Sequence, residues 1–382
     1  MSDARKDLVS QRANPSIYDE IGVARIINGR GATTAVGGTL MHPAVLEAMA
    51  DAARSFVVLD DLNQRVGERI AKLTGMEAGY VTSGSAAAMA IAAAACIAGT
   101  DRAAIAQLPD THGLPNEIII HRAHRFQYDQ MMRLSGARLV EIGSTRGTTP
   151  EELEASISSR SAGILYVDSR HMAPGALPFA EVVRIAQAHA IPTIVDAAST
   201  VPPIDHLRQW SRWGADLVIF SGGKGLRGPQ DSGLLAGRAD LIAAARANGN
   251  PFASIGRGMK VSKEAMAGLW KAIDIFLQTD HEAEHRAHLA QAETLARELN
   301  QLPGISCEID ADWGSWPAPV VRIQLSPDVP WTPETVQAEL KHGTPPVHID
   351  LFKGDLMVST HCLLPGEEKE IIRRFLSIAR VA

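Results

Sequence analysis

Long apolar runs, clustered cysteines and stretches of positive charge are all missing from this chain of 382 residues. The most apolar stretch, Ala86 to Ala98, falls short of the roughly 20 residues that span a bilayer, so it predicts a buried helix and argues against a membrane partner. The three cysteines, Cys96, Cys307 and Cys362, are odd in number and far apart. They predict neither a disulfide framework nor a thiolate metal site, and read as reduced, buried thiols of a cytoplasmic protein. Lysine and arginine total 37 against 43 acidic residues, a net charge of -6. With no basic run to neutralise a phosphate backbone, nucleic acid is an unexpected partner. Met1 to Asn14 is polar and mixed in charge, without the apolar centre of an export signal.

What is present is the balance of a globular enzyme, 46% hydrophobic and 21% charged, long enough for a large domain and a smaller companion. From about Gly75 short β-branched runs alternate with amphipathic segments, the pattern of parallel strands joined by crossover helices. Strands are expected at Glu117 to His121, Ala137 to Ile142, Gly163 to Val167, Pro192 to Val195, Asp216 to Phe220 and Gly233 to Ala236. Helices are expected at Pro150 to Ser158, Phe179 to His189 and Leu207 to Trp213. A Gly- and Pro-containing loop at Pro251 to Lys260 precedes one long helix, Lys263 to Leu299. Strands then follow around Ile305 to Ile309, Val320 to Leu325, Val347 to Ile349 and Leu356 to Ser359, with a closing helix from Gly366 to Ala379. The expected division is an N-terminal segment 1–50, a large domain 51–255, and a linking helix with a small α+β domain, 256–382.

The segment from Asp216 to Gly233 runs from an apolar strand into a polar, glycine-rich turn that presents one lysine, Lys224. An amine that forms a Schiff base must be held rigidly at a strand end, and flanking glycines let a flat cofactor approach the backbone. Upstream, Asp196 closes the strand Ile191 to Asp196, placed to pair with a protonated pyridine nitrogen and keep the ring an electron sink. As an alternative it is a turn or cap residue. A third element, Tyr80 to Met89, turns through Ser83, Gly84 and Ser85 into an alanine-rich helix. Free N–H groups at that helix start suit a phosphate dianion, although a plain serine cap is equally simple.

In that order, phosphate cup, ring-nitrogen partner and lysine resemble fold-type I enzymes dependent on pyridoxal 5'-phosphate (PLP). The string Ser221-Gly-Gly-Lys-Gly-Leu-Arg-Gly-Pro-Gln230 is similar to the lysine motif of the selenocysteine synthase (L-seryl-tRNA selenium transferase) family. So are Ile27-Asn-Gly-Arg-Gly-Ala-Thr-Thr34 and Gly75 to Gly84. Within that family the chain most resembles the bacterial catabolic branch that includes D-glucosaminate-6-phosphate ammonia-lyase. No separate N-terminal tRNA-binding domain is expected, which argues against a tRNA-dependent synthase.

The resemblance implies an α/β fold with a large domain built on a mostly parallel seven-stranded sheet and a smaller C-terminal α+β domain. It makes Lys224 the Schiff-base lysine and base, Asp196 the pyridinium partner, and Ser83, Gly84, Ser85 and Ser221 phosphate contacts. His124 is expected to stack on the ring, with His121 as the runner-up and a satisfied core histidine as the alternative for either. Ser199 either bonds the cofactor or caps a helix. Arg257 and Lys260 are anion ligands, across a subunit interface, or simply a cationic surface turn. Arg30, Arg170 and His171 are placed for a substrate carboxylate or polar substituents, with His361 a further contact from the second domain. The implied reaction is α,β-elimination of a small 2-amino-3-hydroxy acid or amino sugar acid to a 2-oxo acid and ammonia, in a homodimer or higher homo-oligomer and without a metal. Racemase and aldolase chemistry, selenium or sulfur transfer onto an aminoacyl-tRNA, and a non-catalytic PLP fold remain open alternatives.

Overall fold

In the computed structural model, which describes residues 15–169, 172–312 and 317–381, the chain divides into two compact units. One runs from Met41 to Leu277, and the other joins the stretch up to Leu40 to the part from Gln278 onward. The division therefore falls elsewhere than at residues 50 and 255. The N-terminal stretch associates with the smaller unit through its backbone: Ile27–Asn28 forms a parallel pair with Val347–His348, and the Gly29 carbonyl accepts from the Ser359 amide at 2.7 Å.

The larger unit is built on seven strands: β1 (Ala78–Thr82), β2 (Glu117–His121), β3 (Arg138–Ile142), β4 (Ser161–Val167), β5 (Thr193–Asp196), β6 (Leu217–Ser221) and β7 (Gly233–Gly237). Their spatial order is β1-β7-β6-β5-β4-β2-β3. Only β7 opposes its neighbours; every other adjacent pair is parallel. The six strands expected from the pattern between Glu117 and Ala236 are all present, with small shifts at their ends. Runs such as Ile118-Ile119-Ile120 and Leu217 to Phe220 are buried throughout, because both faces of the sheet are covered. One apolar cluster gathers Val81, Val195 and Val218 on one face, and a second gathers Tyr80, Ile194 and Leu217 on the other.

Alanine dominates the helix after β1, here α1 (Ser85–Ala98), so its backbone can lie close to its neighbours, and eleven of its residues are buried. The expected single helix from Lys263 to Leu299 is two, α2 (Lys263–Gln278) and α3 (His281–Leu299). Continuous apolar spacing concealed the break. Asp280 adopts a non-helical conformation and its side chain accepts from the Ala283 amide at 2.9 Å, which starts a new helix. The boundary between the units falls at this junction.

In the smaller unit β8 (Ile305–Asp310), β9 (Val320–Leu325), β10 (Asp350–Phe352) and β11 (Asp355–Ser359) form an antiparallel sheet in the order β10-β11-β9-β8. Strand β10 went unrecognised in the sequence, where three residues ending at the Lys353-Gly354 turn give too short a pattern to register. Helices α3, α4 (Pro333–Lys341) and α5 (Glu367–Val381) accompany the sheet around a core of Leu295, Val321, Val336, Leu356 and Phe375. None of the three cysteines forms a disulfide among the described residues, and all are half-buried, not fully buried as expected. Cys307 lies on the edge strand β8, which leaves it partly open. No helix among the described residues is long and apolar enough to cross a membrane.

Candidate active site

Because β1, β2, β4, β5 and β6 run in one direction, Thr82, His121, Val167, Asp196 and Ser221 all end at the same edge of the sheet, where open α/β folds bind ligands. Strand β7 enters from that edge, with Gly233 opposite both Thr82 and Ser221.

The lysine-bearing turn follows β6 directly. Its ends are tied by the Gly222 amide donating to the Ser232 carbonyl at 2.9 Å and by the Gly228 amide donating to the Gly222 carbonyl at 2.8 Å. Within it the Arg227 amide donates to the Lys224 carbonyl at 2.9 Å. The flanking glycines serve a purpose the sequence did not reveal. A Cβ on Gly223 would lie 2.4 Å from the Gln230 Cα, and one on Gly225 only 1.9 Å from the Val201 carbonyl oxygen. Glycine is required there because protein backbone crosses on either side of Lys224, whether or not a flat cofactor does so too.

Asp196 is 7% exposed at the end of β5, and one carboxylate oxygen accepts from the Ala198 amide at 3.1 Å. Burial raises its pKa, against the opposing pull of that hydrogen bond and of Lys224. Burial likewise lowers the pKa of the Lys224 amine, and Asp196 opposes it. The two groups therefore sense one another across adjacent strand ends.

A second carboxylate, Asp168, stands beside them and had drawn no attention in the sequence. Its amide donates to the Asp196 carbonyl at 2.9 Å. Burial pushes its carboxyl up to about 6, with His206 opposing and Asp196 reinforcing the shift. The signal was available: Asp168 follows β4 much as Asp196 closes β5. His206 in turn places Nδ1 2.6 Å from the Thr200 carbonyl, so that nitrogen carries the hydrogen.

On the far side of β7, the turn into α1 is capped by Gly84 with φ 88° and makes no side-chain cap hydrogen bond, so a serine cap is not what this sequence builds. Ser83 and Ser85 flank it, half-buried. Gly233 is what allows the close approach: a Cβ there would fall 2.5 Å from the Gly84 carbonyl carbon. At the end of β2, His121 is fully buried with neither ring nitrogen hydrogen-bonded among the described residues. His124, on the following 3-10 turn, accepts from the Val167 amide through Nδ1 at 3.2 Å and meets Tyr166 edge-on, with ring centroids 4.5 Å apart. Burial lowers the pKa of His121 to about 4 and that of His124 to about 3, so both rings are neutral near pH 7.

Ser199 is exposed in the turn after Asp196. Arg257 and Lys260 are exposed around the 3-10 turn Ile255–Gly258, which Gly256 fits against the Asn248 carbonyl. In the smaller unit, Arg30 is ion-paired with Asp350, and His361 is buried with its ring 6.3 Å from that of His288. Arg170 and His171 lie outside the described residues.

A half-buried amine, a buried carboxylate that senses it, a neutral imidazole and a helix start without a side-chain cap suit an aldehyde, a ring nitrogen, a flat ring and a phosphate in turn, so these residues fit PLP. A family model described as L-seryl-tRNA selenium transferase matches residues 26–303. The chain is 35% identical over 370 residues to the 5'-C-glycyluridine monooxygenase-decarboxylase of a Streptomyces species, covering 94% of this chain and 90% of that one. It is 34% identical over 377 residues to D-glucosaminate-6-phosphate ammonia lyase of Salmonella typhimurium, covering 96% and 99%. A solved structure of D-glucosaminate-6-phosphate ammonia-lyase superimposes with a TM-score of 0.84 at 33% identity, over 97% of this chain and 99% of that one.

Proposed function

Because the chain belongs to the L-seryl-tRNA selenium transferase family and has the fold of fold-type I PLP enzymes, we propose that it is a PLP-dependent ammonia-lyase with Lys224 as the cofactor's covalent anchor. Its substrate is a small 2-amino-3-hydroxy acid or amino sugar acid. The observation that carries this reading is the half-buried Lys224 on the turn after β6, beside the buried Asp196 that closes the adjacent strand β5, where burial lowers the basicity of the amine and Asp196 opposes it.

Each residue then has a task. Burial favours the neutral amine of Lys224, the form that would hold the cofactor's aldehyde carbon and would accept the substrate's Cα proton. The cofactor supplies the electron sink for the pair left behind. Asp196 holds a protonated ring nitrogen, an arrangement that offsets the cost of burying its own carboxylate. The N–H groups at the start of α1, with Ser83, Ser85 and Ser221, take the phosphate. His124, fixed by the Val167 amide, stacks on the ring. As the Cα proton leaves, hydroxide departs from Cβ and is protonated to water; hydrolysis of the resulting enamine yields a 2-oxo acid and ammonia.

The reading includes a cytoplasmic homodimer or higher homo-oligomer. Three consecutive exposed apolar residues, Phe56, Val57 and Val58, support the association.

The test is the absorption spectrum of the purified protein. A band near about 410 to 430 nm, removed by borohydride and absent in Lys224→Ala, together with ammonia release from 3-hydroxy amino acids, supports the reading. A colourless protein that takes up no added PLP sinks it. A second reading, oxidative decarboxylation of an amino acid, draws on the Streptomyces relative at 35% identity. Oxygen consumption with release of carbon dioxide would favour it, whereas ammonia release under anaerobic conditions favours the lyase.

A further inference from the structure

The smaller unit contains a cavity of about 510 Å³ whose polar lining comes from three separate elements. Arg30 enters from the turn after Ile27–Asn28, Lys341 from the end of α4, and His348 from the short strand Val347–His348 that pairs with Ile27–Asn28. One carboxylate, Asp350, lines the same space and binds Arg30 only through Nε, at 2.5 Å. No other described residue binds the terminal guanidinium nitrogens. Lys341 spends one ammonium hydrogen on Gln337 Oε1 at 3.1 Å, and Gln337 is itself fixed by donating to the Ile349 carbonyl at 2.9 Å. The His348 ring makes no hydrogen bond to any described residue.

We propose that this cavity binds a small phosphate-type dianion through Arg30, Lys341 and His348. Two cations against one carboxylate leave the site positive. The donors converge from three directions, which suits a tetrahedral anion with several acceptor oxygens. A planar carboxylate prefers the bidentate Nε/Nη edge of arginine, and Asp350 already occupies Nε. Proximity to the two cations agrees with the reduced basicity of His348, for which burial is the larger cause. A bound dianion reverses that repulsion, so binding tightens as pH falls and His348 takes up a proton; Arg30, Lys341 and Asp350 are the charged groups that face it across the cavity.

None of the residues proposed here belongs to the unit that carries Lys224. The test is a titration of the purified full-length protein, as it retains its cofactor, with inorganic phosphate, followed by NMR of labelled histidine rings and by calorimetry. Saturable shifts of the His348 resonances, and binding weakened about tenfold or more by Lys341→Gln and by His348→Asn, are expected. Lys341 is exposed, so Lys341→Gln should leave folding intact. Lys224→Ala should bind phosphate as the unaltered chain does. Silent His348 resonances, phosphate affinity unchanged in Lys341→Gln, or acetate binding as tightly as phosphate would each overturn the proposal.

Discussion

The close fit around Lys224 makes Gly225→Ala a sharp test of how the lysine is positioned. The new methyl carbon would meet the Val201 carbonyl oxygen at 1.9 Å, against the 3.4 Å at which ordinary contact begins. The two backbones must part by about 1.5 Å, and neither is the free end of a flexible side chain. Overpacking of this kind costs on the order of 1 to 3 kcal/mol. The functional loss should be larger than the stability loss, since a displacement of about 1 Å at a reacting group lowers rates about 100-fold. Thermal unfolding and the uptake of PLP, followed at its visible band, would be measured together with ammonia release. Gly147→Ala is the control: nothing lies within 4 Å of its Cβ position, and it should gain up to about 1 kcal/mol through the unfolded chain. A Gly225→Ala protein that unfolds, takes up cofactor and turns over like the unaltered chain would refute the close-approach argument.

Asp168 should leave its mark on the pH dependence of stability. Its folded pKa of about 6 exceeds the ordinary 3.8, so its contribution is complete below about pH 4 and lost as pH rises through 6, at a cost of up to about 3 kcal/mol. Asp168→Asn should therefore be the more stable protein at pH 8, with a flatter melting profile between pH 4 and 6; an unchanged profile would contradict the burial. In His124→Phe a flat ring remains but the Val167 amide loses its acceptor, so unfolding should fall by about 1 to 3 kcal/mol while cofactor is still bound. An unchanged melting temperature would show that the bond contributes nothing. Asp196→Asn removes the charge that favours the Lys224 ammonium, so the amine should titrate at lower pH, read from the rate at which an amine-directed reagent modifies it. A titration moved upward, or not moved, would mean the two groups are not coupled.

What could be read from the sequence was whatever a local pattern encodes. Apolar runs such as Ile118 to Ile120 mark buried strands, and the Ser221 to Gln230 string marks the lysine turn, because strand, turn and glycines are contiguous. Asp196 was legible for the same reason, closing its own strand. What escaped depends on partners distant in the chain. The need for glycine at 225 arises from Val201, and at 233 from Gly84, neither of which its own neighbourhood announces. Arg30 looked like a substrate ligand beside its glycines, yet its partner Asp350 is 320 residues away. The break at Asp280 was hidden for the opposite reason: apolar spacing continues across it, and only one side-chain cap distinguishes two helices from one.

The same strand ends also bring together charges that resist being charged. Burial raises Asp168 and Asp196 and lowers Lys224, so all three shifts favour the neutral forms. Such a group of residues is costly to keep ionised unless something enters to balance it. Among the described residues Lys224 is the cation whose charge acts on Asp196, and the helix start at Gly84 offers N–H groups that no side chain caps. A ligand carrying a protonated ring nitrogen at one end and a phosphate at the other supplies both deficits at once. A neutral ligand would supply neither. The case for a charged cofactor therefore rests on the electrostatics of the protein's own side chains as well as on the motif that first suggested it.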